Sequence, residues 1–268
     1  MAALDALAPL ARAGFLIKGI LYLVVGVLAI QVAAETGGGR VTGTRGALLT
    51  VLGQPFGRLL LLAAAIGLFG YAAWRVVQGI LDPERCGRDW KGLGMRIGFV
   101  ARGVMHAALG WQALRLYRGL SPSGGSGERA IARELLAWPL GDWVLVLAGL
   151  GLIAFAFWQI YAAFSGQLEP GLDVAGLRRD AGEWAVHVSR FGLAARALVF
   201  IVLGWGVVAA GWLRDVSEVD TTASSMRTLG AQPGTLGQWL LGLAAAGFIA
   251  YGFYQFVHER YLRIRLDR

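Results

Sequence analysis

The chain alternates long apolar stretches with short polar ones. Uncharged runs occupy 19–34, 59–74, 143–168, 197–213 and 228–257, each near or above the roughly 20 residues with which a helix crosses a bilayer. The pattern predicts five crossings. A sixth stretch, 97–116, carries Arg102, His106, Gln112 and Arg115, and hydropathy alone does not decide it. The first run also reads as a secretory signal, because Arg12 and Lys18 precede apolar residues ending in Ala33 and Ala34.

Internal repetition answers both points. Arg12-x-Gly14-x3-Lys18 recurs as Arg96-x-Gly98-x3-Arg102 and Arg190-x-Gly192-x3-Arg196, at offsets of 84 and 94, with Gly26, Gly110 and Gly204 eight residues after each inner cation. Pro55, Pro139 and Pro233 keep the same offsets. Beyond them lies a pattern of glycine, small residue and aromatics ending in a polar side chain. It reads Gly67, Gly70, Tyr71, Trp74, Arg75, then Gly151, Ala154, Phe155, Trp158, Gln159, then Gly247, Ala250, Tyr251, Tyr254, Gln255.

The stretch 97–116 takes the place of a unit's first helix, so it is expected to cross. The first helix is expected to be retained, since cleavage would leave one unit broken. The fold class is therefore all-α integral membrane, one domain over 1–268 with repeat units 10–81, 94–165 and 188–258. Helices are expected at 14–34, 57–80, 98–117, 142–165, 192–213 and 237–258. Two helices per unit return the chain to its starting side, which predicts three parallel hairpins in a pseudo-threefold arrangement. The segments 45–57 and 129–141, echoed more loosely by 224–237, predict short helices on the membrane surface. The prolines mark helix starts, in the first turn where a missing amide costs nothing.

Composition fits: 56% of the 268 residues are hydrophobic and 16% charged, against about 25% charged in soluble domains. Forty glycines suit close packing of membrane helices. The net charge of +8 lies at helix ends and forms no basic face, so no nucleic-acid partner is expected. With the amino terminus in the cytoplasm, 16 of the 25 Lys and Arg fall on that side and 9 on the other, which places both termini inside. Cys86 is alone, and His106, His187 and His258 make no zinc set, so neither disulfide nor metal nor other cofactor is expected.

On the Arg-x-Gly-x3-Lys/Arg openings, Gln54-Pro55-x-Gly57 and Gly67-x2-Gly70-Tyr71-x2-Trp74, the chain from Arg12 to Gln255 resembles a family of bacterial membrane proteins. These are catalogued as domain of unknown function 1206 and are built from three tandem two-helix units. The resemblance implies this architecture and the bacterial cytoplasmic membrane. It implies no activity.

The candidate chemistry is cationic. Lys18, Arg102 and Arg196 either form a ring that binds an anion, with Arg12, Arg96 and Arg190 further out, or lie along their helices and snorkel to lipid headgroups. Arg75, Gln159 and Gln255 occupy one repeat position, a polar girdle that either meets a solute or, at Arg75, snorkels as well. Trp74, Trp158 and Tyr254 beside them read as an interfacial aromatic belt. His106 is expected to hydrogen-bond within the bundle, because no Asp or Glu falls in a predicted crossing. Gly67/Gly70, Gly151/Ala154 and Gly247/Ala250 predict close helix packing. The glycine-rich 35–43 lacks a phosphate loop's Lys-Ser/Thr and reads as an outer loop.

Two functions follow. The first is a non-enzymatic membrane protein with a structural, lipid-interacting or accessory role, its partners anionic membrane lipids. The second is a channel or transporter for a small anionic solute along the pseudo-threefold axis.

Overall fold

A computed structural model describes residues 2–34, 40–83, 86–120, 127–165, 168, 172–219, 221–233 and 235–261. The first half of the expected loop at 35–43 lies outside the described residues, as do parts of the connectors after Asp82 and Gln167. The described chain is helical, without a β-strand. Its α-helices are α1 (Ala2–Ala33), α2 (Thr44–Leu52), α3 (Gly57–Leu81), α4 (Trp90–Tyr117), α5 (Gly127–Leu136), α6 (Gly141–Phe164), α7 (Val174–Ala181), α8 (Glu183–Leu213), α9 (Thr222–Gly230) and α10 (Thr235–Tyr261).

Within α1, α3, α6, α8 and α10 lie five segments long and apolar enough to cross a membrane. Helix α4 has the length, at 28 residues, but its polar side chains keep it below that level of apolarity. Helices α1, α4 and α8 begin earlier than their apolar runs. At α4 the Asp89 carboxylate accepts the Gly92 amide at 3.1 Å, a side-chain cap that starts the helix two turns before the repeat motif.

Each unit is a long helix, a short helix and a second long helix. The short helices α2, α5 and α9 fall where the three related segments predict them, and α9 is closed by a capping box between Thr221 and Ser224. The prolines, however, sit in the turn before the helix and not in its first turn. Gly57 N donates to Gln54 O at 2.8 Å and Gly141 N to Trp138 O at 3.1 Å. Pro55 and Pro139 thus take the second place of a four-residue turn, where a fixed φ is favourable. Phe56 and Leu140 follow with φ of 60° and 64°. The closing glycine has a steric reason, since a Cβ at Gly57 would strike the Leu52 carbonyl and one at Gly141 the Leu135 carbonyl.

The long helices pack in an open series from α4 through α3, α1, α10 and α8 to α6. Between units, α3 lies on α4, α6 on α8, and α10 on α1; within units, α1 lies on α3 and α8 on α10. The remaining within-unit pair, α4 and α6, is not a packed pair. Helix α6 therefore rests on α8 alone among the long helices, and only 28% of its apolar stretch is buried, against 50 to 61% in the other four apolar helices.

Candidate functional site

The within-unit contacts are made by the repeat glycines. A Cβ at Gly14 on α1 would collide with Tyr71 and the Gly67 carbonyl on α3, and a Cβ at Gly192 on α8 with Ala250 and Tyr251 on α10. Facing them, Gly67 meets Ala13 and Ile17, and Gly247 meets Ala195. Such close approach lets the residue four places after each glycine, Tyr71 or Tyr251, turn into the bundle. Gly70 is buried too.

These tyrosines receive the inner cations. Lys18 is 4% exposed, and its Nζ donates to Tyr71 Oη at 3.0 Å while lying 4.4 Å from the Tyr71 ring centre. Arg196 is 7% exposed; its guanidinium sits 4.1 Å from the Phe200 ring and 4.4 Å from the Tyr251 ring, and its Nη1 donates to Gln159 Oε1 at 2.9 Å. Arg75, 2% exposed, donates from Nε to Tyr71 Oη at 2.8 Å and from Nη1 to Gln78 Oε1 at 2.9 Å. Snorkelling to the headgroups is thus not the disposition of Lys18, Arg196 or Arg75: aromatic faces hold each of them inside the bundle.

Lys18, Arg75, Arg102 and Arg196 line one cavity of about 20 Å³, room for about one water. His106, Phe155, Gln159, Tyr251, Tyr254 and Leu168 are among its other walls. Among the described residues, no lining side chain is acidic. Two donors at the cavity are buried without a hydrogen-bond partner, Arg196 Nε and Gln159 Nε2. His106 Nδ1 lies 2.7 Å from the Arg102 carbonyl. A carbonyl only accepts, so Nδ1 carries a proton and the ring's other nitrogen is left for the interior.

The third member of the ring differs. Arg102 is half-buried; its Nε donates back to Gly98 O at 3.1 Å, and its guanidinium lies 5.0 Å from Phe99 on its own helix and 5.5 Å from Phe155 on α6. It reaches across the place where α4 and α6 fail to pack.

The outer cations do not gather. Arg12 is exposed and Arg190 half-buried. Arg96 donates to the Gly79 and Ile80 carbonyls, each at 2.8 Å, and so satisfies the carboxyl end of α3. Of the expected girdle, Arg75 and Gln159 line the cavity, whereas Gln255 is buried in α10 outside its lining.

Two expectations need correction. Trp74 and Tyr254 are buried and Trp158 lines the cavity, so these rings do not form an interfacial belt; the close contacts of Gly67 and Gly247 turn Trp74 and Tyr254 inward. Gly151 and Ala154 are exposed, and a Cβ at Gly151 would meet open space, so this pair does not pack a helix as Gly67/Gly70 and Gly247/Ala250 do. Sequence reasoning missed Phe155 and Tyr251 as cavity walls and Tyr71 as the acceptor of Lys18 and Arg75, although their shared place four residues after the repeat glycine was the available signal.

Three segments of the chain, 13–82, 97–166 and 191–261, match the sequence pattern of the family described as Domain of Unknown Function (DUF1206). They coincide with the three helical units. The chain is also 31% identical over 257 residues to a Bacillus subtilis (strain 168) protein described as "Uncharacterized protein YxxB", covering 96% of this chain and 92% of that one. No solved structure matches. A threefold match over most of the length, with a relative aligned nearly end to end, shows that the chain belongs to the DUF1206 family.

Proposed function

We propose that the protein is a non-enzymatic, six-crossing protein of the bacterial cytoplasmic membrane, both termini cytoplasmic, that binds an anionic group among Lys18, Arg75, Arg102 and Arg196. The observation that carries this reading is the joint burial of Lys18 and Arg196 in one cavity beside unpartnered donors. A desolvated cation–π contact contributes about 2 kcal/mol. Removing an ion from water costs several kcal/mol even after relaxation, and two like charges in one cavity add to that cost. An anion accepting from Lys18 Nζ, Arg196 Nε and Gln159 Nε2 offsets the deficit.

Helix α4 is the sixth crossing in this reading. Its polar residues Arg102 and His106 line the cavity, which removes the hydropathic objection to it. The units then stand about a pseudo-threefold axis. In support, Lys18, Arg102 and Arg196 lie at similar depth, 15, 15 and 17 residues before the ends of α1, α4 and α8. The partners are anionic membrane lipids or a small anionic solute.

A second reading, passage of a small anion along that axis, is favoured by Arg75 and Gln159 sharing the cavity with the inner cations. The cavity takes about one water, so passage requires the aromatic walls to move.

The test is equilibrium binding and flux of chloride and inorganic phosphate in liposomes, wild type beside a folded Lys18→Ala/Arg102→Ala/Arg196→Ala variant. Binding lost in the variant is the expected result; flux lost with it establishes the second reading. Equal binding by both proteins overturns the proposal, as does wild type that binds neither free anion and retains no anionic lipid.

A further inference from the structure

The α4–α6 seam has the sequence of a packed interface but little of its packing. Met105 corresponds by the repeat to Leu21 and Val199, which are 2% and 0% exposed in their units, yet Met105 is 62% exposed. Ala148 corresponds to the buried Ala64 and Ala244, and it is exposed. Gly98 and Gly151 have open space where their mates meet a neighbouring helix. The result is a groove floored by small residues, running between two long helices on the outside of the bundle.

The groove leads to charge. Arg102 of α4 and Phe155 of α6 border it and also line the cavity, so its inner end is the cavity itself. There the buried donors Arg196 Nε and Gln159 Nε2 lack partners. A ligand that fills both parts has an anionic head and an apolar tail, and one source surrounds these helices at high concentration.

We infer that the α4–α6 seam is a lateral entrance through which an anionic phospholipid places its phosphate at Lys18, Arg102 and Arg196, with an acyl chain along Gly98, Met105, Ala148 and Gly151. The inference rests on the anion-binding reading above and names the anion's source. The small side chains keep the groove wide enough for a hydrocarbon chain. The half-buried Arg102, moored to Gly98 O, stands where the head turns in from the bilayer. The cavity has room for about one water, so its aromatic walls move aside when the phosphate enters.

The experiment is native mass spectrometry of protein extracted from vesicles of equal parts phosphatidylglycerol and phosphatidylcholine. Wild type is expected to keep phosphatidylglycerol selectively. Gly151→Leu and, independently, Ala148→Leu fill the groove at exposed positions, and each is expected to lower retained phosphatidylglycerol by about tenfold or more, equivalent to about 1.4 kcal/mol. A thermal melt confirms that at least one of the two is folded. Retention unchanged in the folded variant overturns the inference, as does a two-chain species that these variants abolish, which would make the seam a contact between copies. Wild type that binds inorganic phosphate but keeps no lipid overturns the lipid entrance alone. Wild type that binds neither overturns the anion-binding reading with it.

Discussion

Arg196 Nη1 and Gln159 Oε1 are 2.9 Å apart, a bond that ties the inner cation of the third unit to the girdle residue of the second across the α6–α8 interface. Helix α6 packs on no other long helix, so this bond is a main polar fixture of its position. Both groups are buried. Hydrogen bonds to charged groups contribute about 1.5–3 kcal/mol, and truncating one partner leaves the other's desolvation uncompensated. Gln159→Leu is therefore expected to lower unfolding free energy in detergent by about 2 kcal/mol, and a double-mutant cycle with Arg196→Met is expected to give coupling above about 1 kcal/mol. Additive effects would mean the two side chains do not share a bond.

Gly14, Gly98 and Gly192 are one repeat position in three environments. A methyl group at Gly14 or Gly192 meets a facing helix, and overpacking of this kind costs about 1–3 kcal/mol or more. At Gly98 and Gly151 it meets nothing, and exchange of a helical glycine for alanine gains up to about 1 kcal/mol. Gly14→Ala and Gly192→Ala should thus destabilise while Gly98→Ala and Gly151→Ala do not, as read by thermal melts in one detergent. Equal losses at all four would mean that the seam is packed in solution.

Arg96 separates the outer cations from the inner ones. Its two bonds to the last carbonyls of α3 have a structural role. Arg96→Met should cost about 1–3 kcal/mol of stability, as for a charged group stripped from its acceptors, and leave anion binding in place. Loss of binding without loss of stability would return Arg96 to the anion site.

Asp82 supplies a pH dependence at the α3–α4 connector. Burial raises its carboxyl, but the Gly87 and Cys86 amides, which donate to it at 3.0 and 2.7 Å, hold it below its ordinary value overall. A carboxylate depressed in the folded state stabilises above its unfolded pKa, and that contribution fades as pH falls through the folded value. Amide chemical shifts of Cys86 and Gly87 should move with an acid midpoint below the ordinary aspartate value, and Asp82→Asn should abolish the transition. A midpoint above that value would contradict the assignment.

How much of this was legible depended on whether the information was periodic. The three units, the placement of α2 and α5 before the second long helix of their units, and the matching places of Lys18, Arg102 and Arg196 along α1, α4 and α8 were all readable, because equal spacing is a property of sequence. The direction of Lys18 was not, since a lysine six residues inside an apolar segment reads alike whether it snorkels or points inward. Only the contact of Gly14 with Gly67 and Tyr71 decides it. The seam was invisible for a related reason: Gly98 and Gly151 look like their mates, and the difference lies in whether two helices meet. Trp74 and Tyr254 were misread because aromatics near a helix end are common to interfaces and cores.

The anion proposed among the buried cations would occupy a definite place beside Lys18 and Arg196. The most direct measurement is a structure of the protein in lipid with bromide, using anomalous scattering to find the ion. An anomalous peak within hydrogen-bonding reach of Lys18 Nζ and Arg196 Nε, absent in Lys18→Ala/Arg102→Ala/Arg196→Ala, is the predicted result. No peak in the cavity, with Lys18 and Arg196 turned out to the headgroups, would contradict it.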